Sequence, residues 1–587
     1  MLPTKFSCTL TTTSSVTVVD WLVSTLPEYT KKRFGGRRIQ IYLAVLSIIL
    51  YIFTKISVNL FSGAIFLQTA LRLNLYLCII LLLVLTAVCT LVGGLAAVIY
   101  TDTLQFFVMI GGSLTVIIIG FHEVGGYSDL QVKYLAAIPS VLVSNSTCGL
   151  PRTDSWRMLR DADPTTSDLP WPAFLLGQLP ASIWYWCSDQ MMVQRALAAK
   201  SLSHAQGGTL FAGYMKILPL FIIILPGMIS RVLFTDEIAC VDPEECYRFC
   251  GSRVSCSNTA FPKLVLEFLP SGVRGIMLSV MLSAIMSNLT SIFNSASTLF
   301  TMDLWATWRP KAKPREQLLV GRLFILLLVG VSICWVPVIQ QSEGGQIFVY
   351  IQVIAAYLAP PIAAVYLLAV LWTRLNEAGT FWSLILGFVL GIVRMGLDFY
   401  YTQPPCYEPD LRPAIIRNLH YMYFAMAMFW LTVVVAVIIS LVTEPPQSWK
   451  LIRTTYFKRM SREERPDDQE ERERAENELL EMTERKSESG DGEVQLPWYR
   501  RVYNFIFGYN NSKEAQEQVV AMNEHLAAVT TLHQSRRVKC FLNIMLVVIL
   551  TTAVALFIFF SINPFTEQEV YDIQRQKLKE LGYEDLI

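Results

Sequence analysis

Ser283, Ser287, Thr290, Ser291, Asn294 and Thr298 recur at three- and four-residue steps in a stretch with no charge between Arg274 and Asp303. Such steps put the residues on one helical face. A face of small hydroxyl and amide groups in an apolar helix has two readings. It lets helices approach closely and hydrogen-bond, or it offers neutral oxygens to a hard monovalent cation where unwound backbone adds carbonyls. Other polar groups interrupt apolar runs. Lys55 sits in YIFTKISVN, Asp102 follows GGLAAVIYT, Lys216 lies between Gly213 and Pro219, and Gln352 precedes Pro360-Pro361. Asp189 and Arg195 flank QMMVQ and are placed to pair at a helix end. Polar groups inside a span usually face a cavity or a partner. For Lys55 and Arg195 the competing reading is snorkelling to the surface, which is what we expect of both. For Tyr185 and Trp186 it is an interfacial aromatic belt, although both lie well inside their apolar run. Rings beside a lysine and a glutamine suit a polyhydroxylated ligand, whose C–H faces stack and whose hydroxyls need donors and acceptors.

Those residues must be positioned by membrane-spanning helices. The chain has 587 residues, 53% hydrophobic, with a formal net charge of +1. Many uninterrupted apolar segments reach bilayer length, so an all-α polytopic membrane protein is expected. The near-neutral charge gives no sign of nucleic-acid binding. The five histidines are not paired at metal-ligand spacing, and neither HExxH nor GxSxG occurs. An enzyme is therefore not expected. Residues 1–27 do not resemble a signal peptide. Eleven spans are predicted, at 40–68, 75–95, 100–121, 170–194, 208–234, 273–301, 318–340, 346–372, 379–400, 419–442 and 540–562.

Charge tests the alternation. With the basic cluster at residues 31–38 inside, Arg195, Lys200, Arg309, Arg315 and Arg374 all fall in the cytoplasm, as the positive-inside rule requires. The loop 122–169 then lies outside, with the glycosylation sequon at Asn145 and with Cys148. The loops 235–271 and 401–418 lie outside too, holding Cys240, Cys246, Cys250, Cys256 and Cys406. Closely spaced Cys240/Cys246 and Cys250/Cys256 in an oxidising compartment read as disulfides. Zinc is the alternative, but no histidine lies nearby. Cys148 and Cys406 are the remaining outer pair. Cys8, Cys78, Cys89, Cys187, Cys334 and Cys540 are read as packing residues. The chain divides into an N-terminal segment 1–26, a core 27–442 with ten spans, a charged cytoplasmic linker 443–535, a last helix 536–562 and an outer tail 563–587. The linker's charge density predicts disorder or loose helix.

LPEYTKKRFGG, YIFTKISVNLFSGAIF, GGLAAVIYTDTLQ, WYWCSDQMMVQR, LPGMISRVLF, SNLTSIFNSASTLFTMD and QIFVYIQVIAAYLAPPIAAV together resemble the sodium/glucose cotransporter family of solute:sodium symporters. The match runs from about Leu26 to about residue 445 and resumes at the last span. LGQLPASIWYWC, HYMYFAMAMFWLT and the RTT that follows look most like the sodium/myo-inositol branch. The resemblance implies two inverted five-helix repeats holding sugar and ion at the midplane on broken helices. It implies sugar contacts at Tyr185, Trp186, Lys216 and Gln352. The sodium site would take the Ala284 carbonyl and the side chains of Ser287 and Asn288. A second sodium site would map to Asp102, Thr290 and Ser291. The four loop cysteines match the family's outer disulfides, and Cys148 with Cys406 matches another. No cofactor is implied beyond sodium as co-substrate. The partners are sodium, a sugar or polyol and membrane lipid, with an accessory membrane subunit left open.

Four departures bear on function. Asn59 stands where the family usually has aspartate, and Asn288 where many members have serine. Ala355 stands where glucose carriers tend to have threonine; losing that hydroxyl shifts preference by roughly 1–3 kcal/mol, toward myo-inositol over glucose. Only residues 1–25 precede Leu26, where members carry further helices that supply carbonyls to sodium. Sodium-coupled symport at the plasma membrane is thus expected of a full-length version, with two sodium ions per solute. For residues 1–587 alone no concentrative uptake is expected. The alternatives are a sodium- and sugar-gated sensor without uptake, or a short non-transporting form.

Overall fold

The computed structural model describes residues 25–467 and 534–583, apart from residues 144–146, 342–346, 405–407 and a few single positions. The described residues are almost wholly helical. Their first helix, α1 (Leu26–Phe34), is N-capped by Thr25, whose side chain accepts from the Glu28 N–H, and ends at Gly35 in the left-handed region. Next, α2 (Arg37–Leu71) contains a π turn at Tyr51–Ile56. A 50-residue helix, α3 (Leu75–Val124), follows and leads into the short α4 (Tyr127–Leu135). After the loop to residue 170, α5 (Trp171–Ile183) runs into a π turn at Trp184–Ser188. The chain is extended at Asp189 and resumes as α6 (Gln190–Leu197). α7 (Leu202–Leu233) leads to two short helices, α8 (Pro243–Cys250) and α9 (Ala260–Phe268). The remaining long helices are α10 (Ser271–Trp308), α11 (Pro314–Gln341), α12 (Ile347–Leu371), α13 (Glu377–Tyr400), α14 (Tyr421–Val442) and α15 (Arg536–Ser561). A final amphipathic helix, α16 (Glu567–Leu581), starts with a capping box between Thr566 and Glu569.

Among the described residues nine helices are long and apolar enough to cross a membrane. Three of the eleven predicted spans are organised differently: two are joined and one is broken. Residues 75–95 and 100–121 join in the single helix α3, because no proline interrupts Leu75–Val124 and Asp102 leaves the backbone ladder intact. The 170–194 segment is not one helix: it breaks at Asp189, where the backbone is extended, and neither piece is among the described helices long and apolar enough to cross. Breaks of this kind are tolerated at membrane depth only where protein or a cavity satisfies the freed backbone.

Close helix contacts rest on small residues, as expected where lipid removes a hydrophobic drive between helices. A Cβ at Gly177 of α5 would fall on the Met422 carbonyl of α14, and one at Gly391 of α13 on the Tyr357 carbonyl of α12. The helix α12 is the most deeply enclosed, with Tyr350 and Val353–Tyr366 all buried.

In the 235–271 loop, Cys240–Cys246 and Cys250–Cys256 are disulfides. The sulfurs of Cys240, Cys246 and Cys256 cluster, but bonded sulfurs are not thiolate ligands, which removes the zinc reading. Cys148 is also disulfide-bonded, while Cys406, Cys8 and Asn145 lie outside the described residues. The tail helix α16 lies against the 138–157 loop. Leu578 is buried with Ile138 and Leu142, the Gln574 amide donates to the Pro151 carbonyl at 2.7 Å, and Arg157 pairs with Glu567 at 3.1 Å. At the other end, residues 448–467 dock on α1: Tyr29 donates to the Thr454 carbonyl at 2.8 Å and buried Arg465 to the Lys32 carbonyl at 2.9 Å. Most of the charged linker, residues 468–533, lies outside the described residues.

Candidate solute and cation site

The break between α5 and α6 gathers the polar residues. Tyr185 and Trp186 lie in its π turn, with ring centroids 5.2 Å apart in an edge-to-face arrangement. π turns often occur at functional sites because they free backbone groups and re-aim side chains. The Lys216 ammonium, from α7, sits 4.5 Å from the centre of the Trp186 ring, a cation–π distance. Two turns before Tyr185, the Gln178 amide donates to the Gln352 side-chain oxygen of α12 at 3.0 Å. The helix α12 packs on both α5 and the π turn. The four expected sugar contacts therefore fall on three elements that meet at the break.

Two corrections concern charge. Lys55 does not snorkel: its side chain is 9% exposed and forms an ion pair with Asp189, which is 1% exposed. The rings of Tyr51, Trp184 and Tyr185 surround the ammonium at 4.9, 5.7 and 4.9 Å. Tyr51 also donates to Asp189 at 2.6 Å and accepts from the Met191 N–H at 3.0 Å. The extended residue at the helix break is thus held by the π turn of α2. The second correction is that Asp189 and Arg195 do not pair. Nor does Arg195 snorkel freely: it bonds Asp102 of α3 at 2.9 Å and Ser291 of α10 at 2.8 Å.

The cation residues lie on α10. Ala284 and Ser287 are half-buried and Asn288 is exposed. One helical turn earlier, Ser283 accepts a hydrogen bond from Gln105. The helix packs against the π turn of α2 and against α6. Ser295 donates to Gln194 at 3.0 Å, tying α6 to the same face. Of the second set, Thr290 donates to the Met286 carbonyl of its own helix at 2.8 Å, and Arg195 bridges Asp102 and Ser291. The second Asp102 oxygen is buried and has no hydrogen-bond partner. Asp102 and Ser291 are therefore joined through a guanidinium, with one carboxylate acceptor left over.

The site holds residues that were not singled out from sequence. Tyr51 stands one turn before Lys55 and Gln178 two turns before Tyr185, so helical spacing alone placed each on the face of a residue already flagged.

The sodium:solute symporter family matches residues 18–387, well over half of the chain. This chain belongs to the sodium:solute symporter family. The family is one of transporters, and the expected all-α polytopic class and multi-pass membrane character stand. Sodium/myo-inositol cotransporter 2 of Oryctolagus cuniculus is 55% identical over 437 residues, covering 74% of this chain and 64% of the relative. Sodium/glucose cotransporter 4 of Danio rerio is 46% identical over 542 residues, covering 92% of this chain and 81% of the relative. The chain thus spans just under two thirds of the length of the first of these relatives. A solved Na+-coupled sialic acid symporter, in a substrate-bound outward-open state, shares the fold with a TM-score of 0.55. It is 17% identical, and the match covers 76% of this chain and 84% of that one.

Proposed function

We propose that this chain carries the solute and sodium machinery of a symporter that moves a sugar or polyol across the plasma membrane with sodium, by alternating access. The observation that carries the reading is the helix break at Tyr185–Asp189. Two aromatic faces, an ammonium over one of them and a Gln178–Gln352 amide pair meet there, beside the hydroxyl face of α10. Rings stack on sugar C–H faces, while amides and an ammonium exchange hydrogen bonds with hydroxyls. Tyr185, Trp186, Lys216 and Gln352 are the proposed solute contacts. Ala284, Ser287 and Asn288 form the proposed sodium site, and Asp102, Thr290 and Ser291 a second. An amide oxygen at Asn288 is a competent ligand for a hard cation.

Myo-inositol is the proposed solute. The relatives named for myo-inositol and for glucose both support a polyhydroxylated ligand, and Ala355 removes a hydroxyl from the α12 face one turn after Gln352. The test is competition for sodium-dependent binding of labelled myo-inositol. Unlabelled myo-inositol should displace it at lower concentration than glucose, and Trp186→Ala and Gln352→Ala should each weaken it. Glucose displacing it at lower concentration would reverse the assignment. Neither a sensor without uptake nor a non-transporting form is favoured by a specific feature of the site.

A further inference from the structure

Asp303 lies near the end of α10 that precedes the basic connector 309–315, the side that charge assigns to the cytoplasm. Its side chain is fully buried, and no Lys or Arg among the described residues pairs with it. One oxygen, Oδ1, accepts from the Thr25 hydroxyl at 3.0 Å and from the Gln40 amide nitrogen at 2.8 Å. The other, Oδ2, has no hydrogen-bond partner. Neither has the amide oxygen of that same Gln40, which is also buried. Buried polar atoms are nearly always paired, so two orphans on one bonded pair of side chains need a cause. If Asp303 is ionised, both orphans are acceptors and neither can satisfy the other. One proton on Oδ2 removes both faults. The carboxylic acid then donates to the Gln40 oxygen while the Gln40 nitrogen donates to Oδ1, closing a two-bond acid–amide ring.

We propose that Asp303 and Gln40 form a proton-binding site, in which Asp303 is a neutral acid donating from Oδ2 to the Gln40 amide oxygen. The site joins three elements: Thr25 caps α1, Gln40 is in the first turns of α2 and Asp303 is in the π turn Leu299–Trp305, near the end of α10. Loss of the proton would set two acceptors against each other and leave a buried anion held by neutral donors, so alkaline pH should loosen this junction. The surrounding ionisable groups do not supply the missing partner. From α1, Glu28 and Lys31 act on Asp303 at longer range, in opposite senses. From α12, Tyr366 lies near it and stacks on Tyr29, whose hydroxyl goes to Thr454. On α2, Arg38 pairs with Glu377, while Arg37 stands beside it in sequence. On α11, Glu316 takes Trp305 and Arg309, and Arg322 lies farther along that helix.

The proposal does not depend on the identity of the transported solute. Its test is infrared spectroscopy of the purified chain near neutral pH, in water and in heavy water, with and without aspartate isotopically labelled at the side-chain carboxyl. A carboxylic-acid carbonyl band should appear, shift with both substitutions and be lost in Asp303→Asn, which keeps a two-bond amide–amide ring. In Gln40→Leu the band should persist at a higher frequency. Absence of any label-sensitive acid band in the unmodified chain overturns the proposal without any variant having to fold. A band undiminished in Asp303→Asn, or unmoved in Gln40→Leu, overturns it as well.

Discussion

Removing the Lys55 ammonium would leave the Asp189 carboxylate buried with Tyr51 as its main remaining side-chain donor. Breaking a buried pair from one side typically costs about 3–5 kcal/mol, since an uncompensated charge stays behind. Lys55→Met should therefore lower the thermal midpoint strongly, and Lys55→Met with Asp189→Asn should recover much of the loss. Equal damage in the single and double variants would show that the pair does not hold the break. This pair also marks how far single residues could be read. Lys55, Tyr185 and Trp186 stood out because apolar runs rarely contain them. The Lys55–Asp189 contact joins positions 134 apart in sequence, and no local period reports a distance of that kind. Snorkelling was the reasonable expectation for a lone lysine, and the buried carboxylate overrode it.

At the level of elements, α14 is N-capped by His420, whose Nδ1 accepts from the Met422 N–H at 3.3 Å. Burial pushes the ring's pKa down to about 4, against an opposing pull from Asp168. A depressed base binds its proton more readily in the unfolded chain, so its stabilising contribution is full above the ordinary value of 6.5. That contribution declines as pH falls from there toward about 4. The thermal midpoint should drop on acidification through that window, and less in His420→Asn, which retains a capping oxygen. An identical pH profile in the variant would remove His420 from the account. A second element, α16, rests on the 138–157 loop through Leu578. Leu578→Glu should raise hydrogen exchange in that loop while sparing α12; unchanged exchange would mean the tail does not restrain it. Long helices were legible from apolar length alone. The π turns and the Asp189 break were not, because a 3.6-residue period continues through a bulge of one residue. The two predicted spans at 75–95 and 100–121 are continuous in α3, a junction that apolar length alone does not resolve.

For the whole molecule the proposed symport raises the question of how many cations accompany each solute. A tenfold sodium gradient supplies about 1.4 kcal/mol per ion, and roughly 60 mV of inside-negative potential adds about 1.4 kcal/mol more. One ion could thus concentrate a neutral solute on the order of a hundredfold and two on the order of ten-thousandfold. Asp102 keeps one buried oxygen unpartnered beside the Arg195–Ser291 bridge, which is the acceptor a second ion would use. Asp102→Asn should make sodium activation less sigmoidal while one site still works; unchanged sigmoidicity would place the second ion elsewhere. The central claim, sodium-coupled movement of a polyol, is tested most directly in proteoliposomes carrying this protein and given labelled myo-inositol. Because no feature of the site favours a non-transporting form, the account predicts, against the expectation for residues 1–587 alone, accumulation above the external concentration under an inward sodium gradient and none when potassium replaces sodium. Uptake that ignores sodium, or the absence of sodium-driven accumulation, would contradict it.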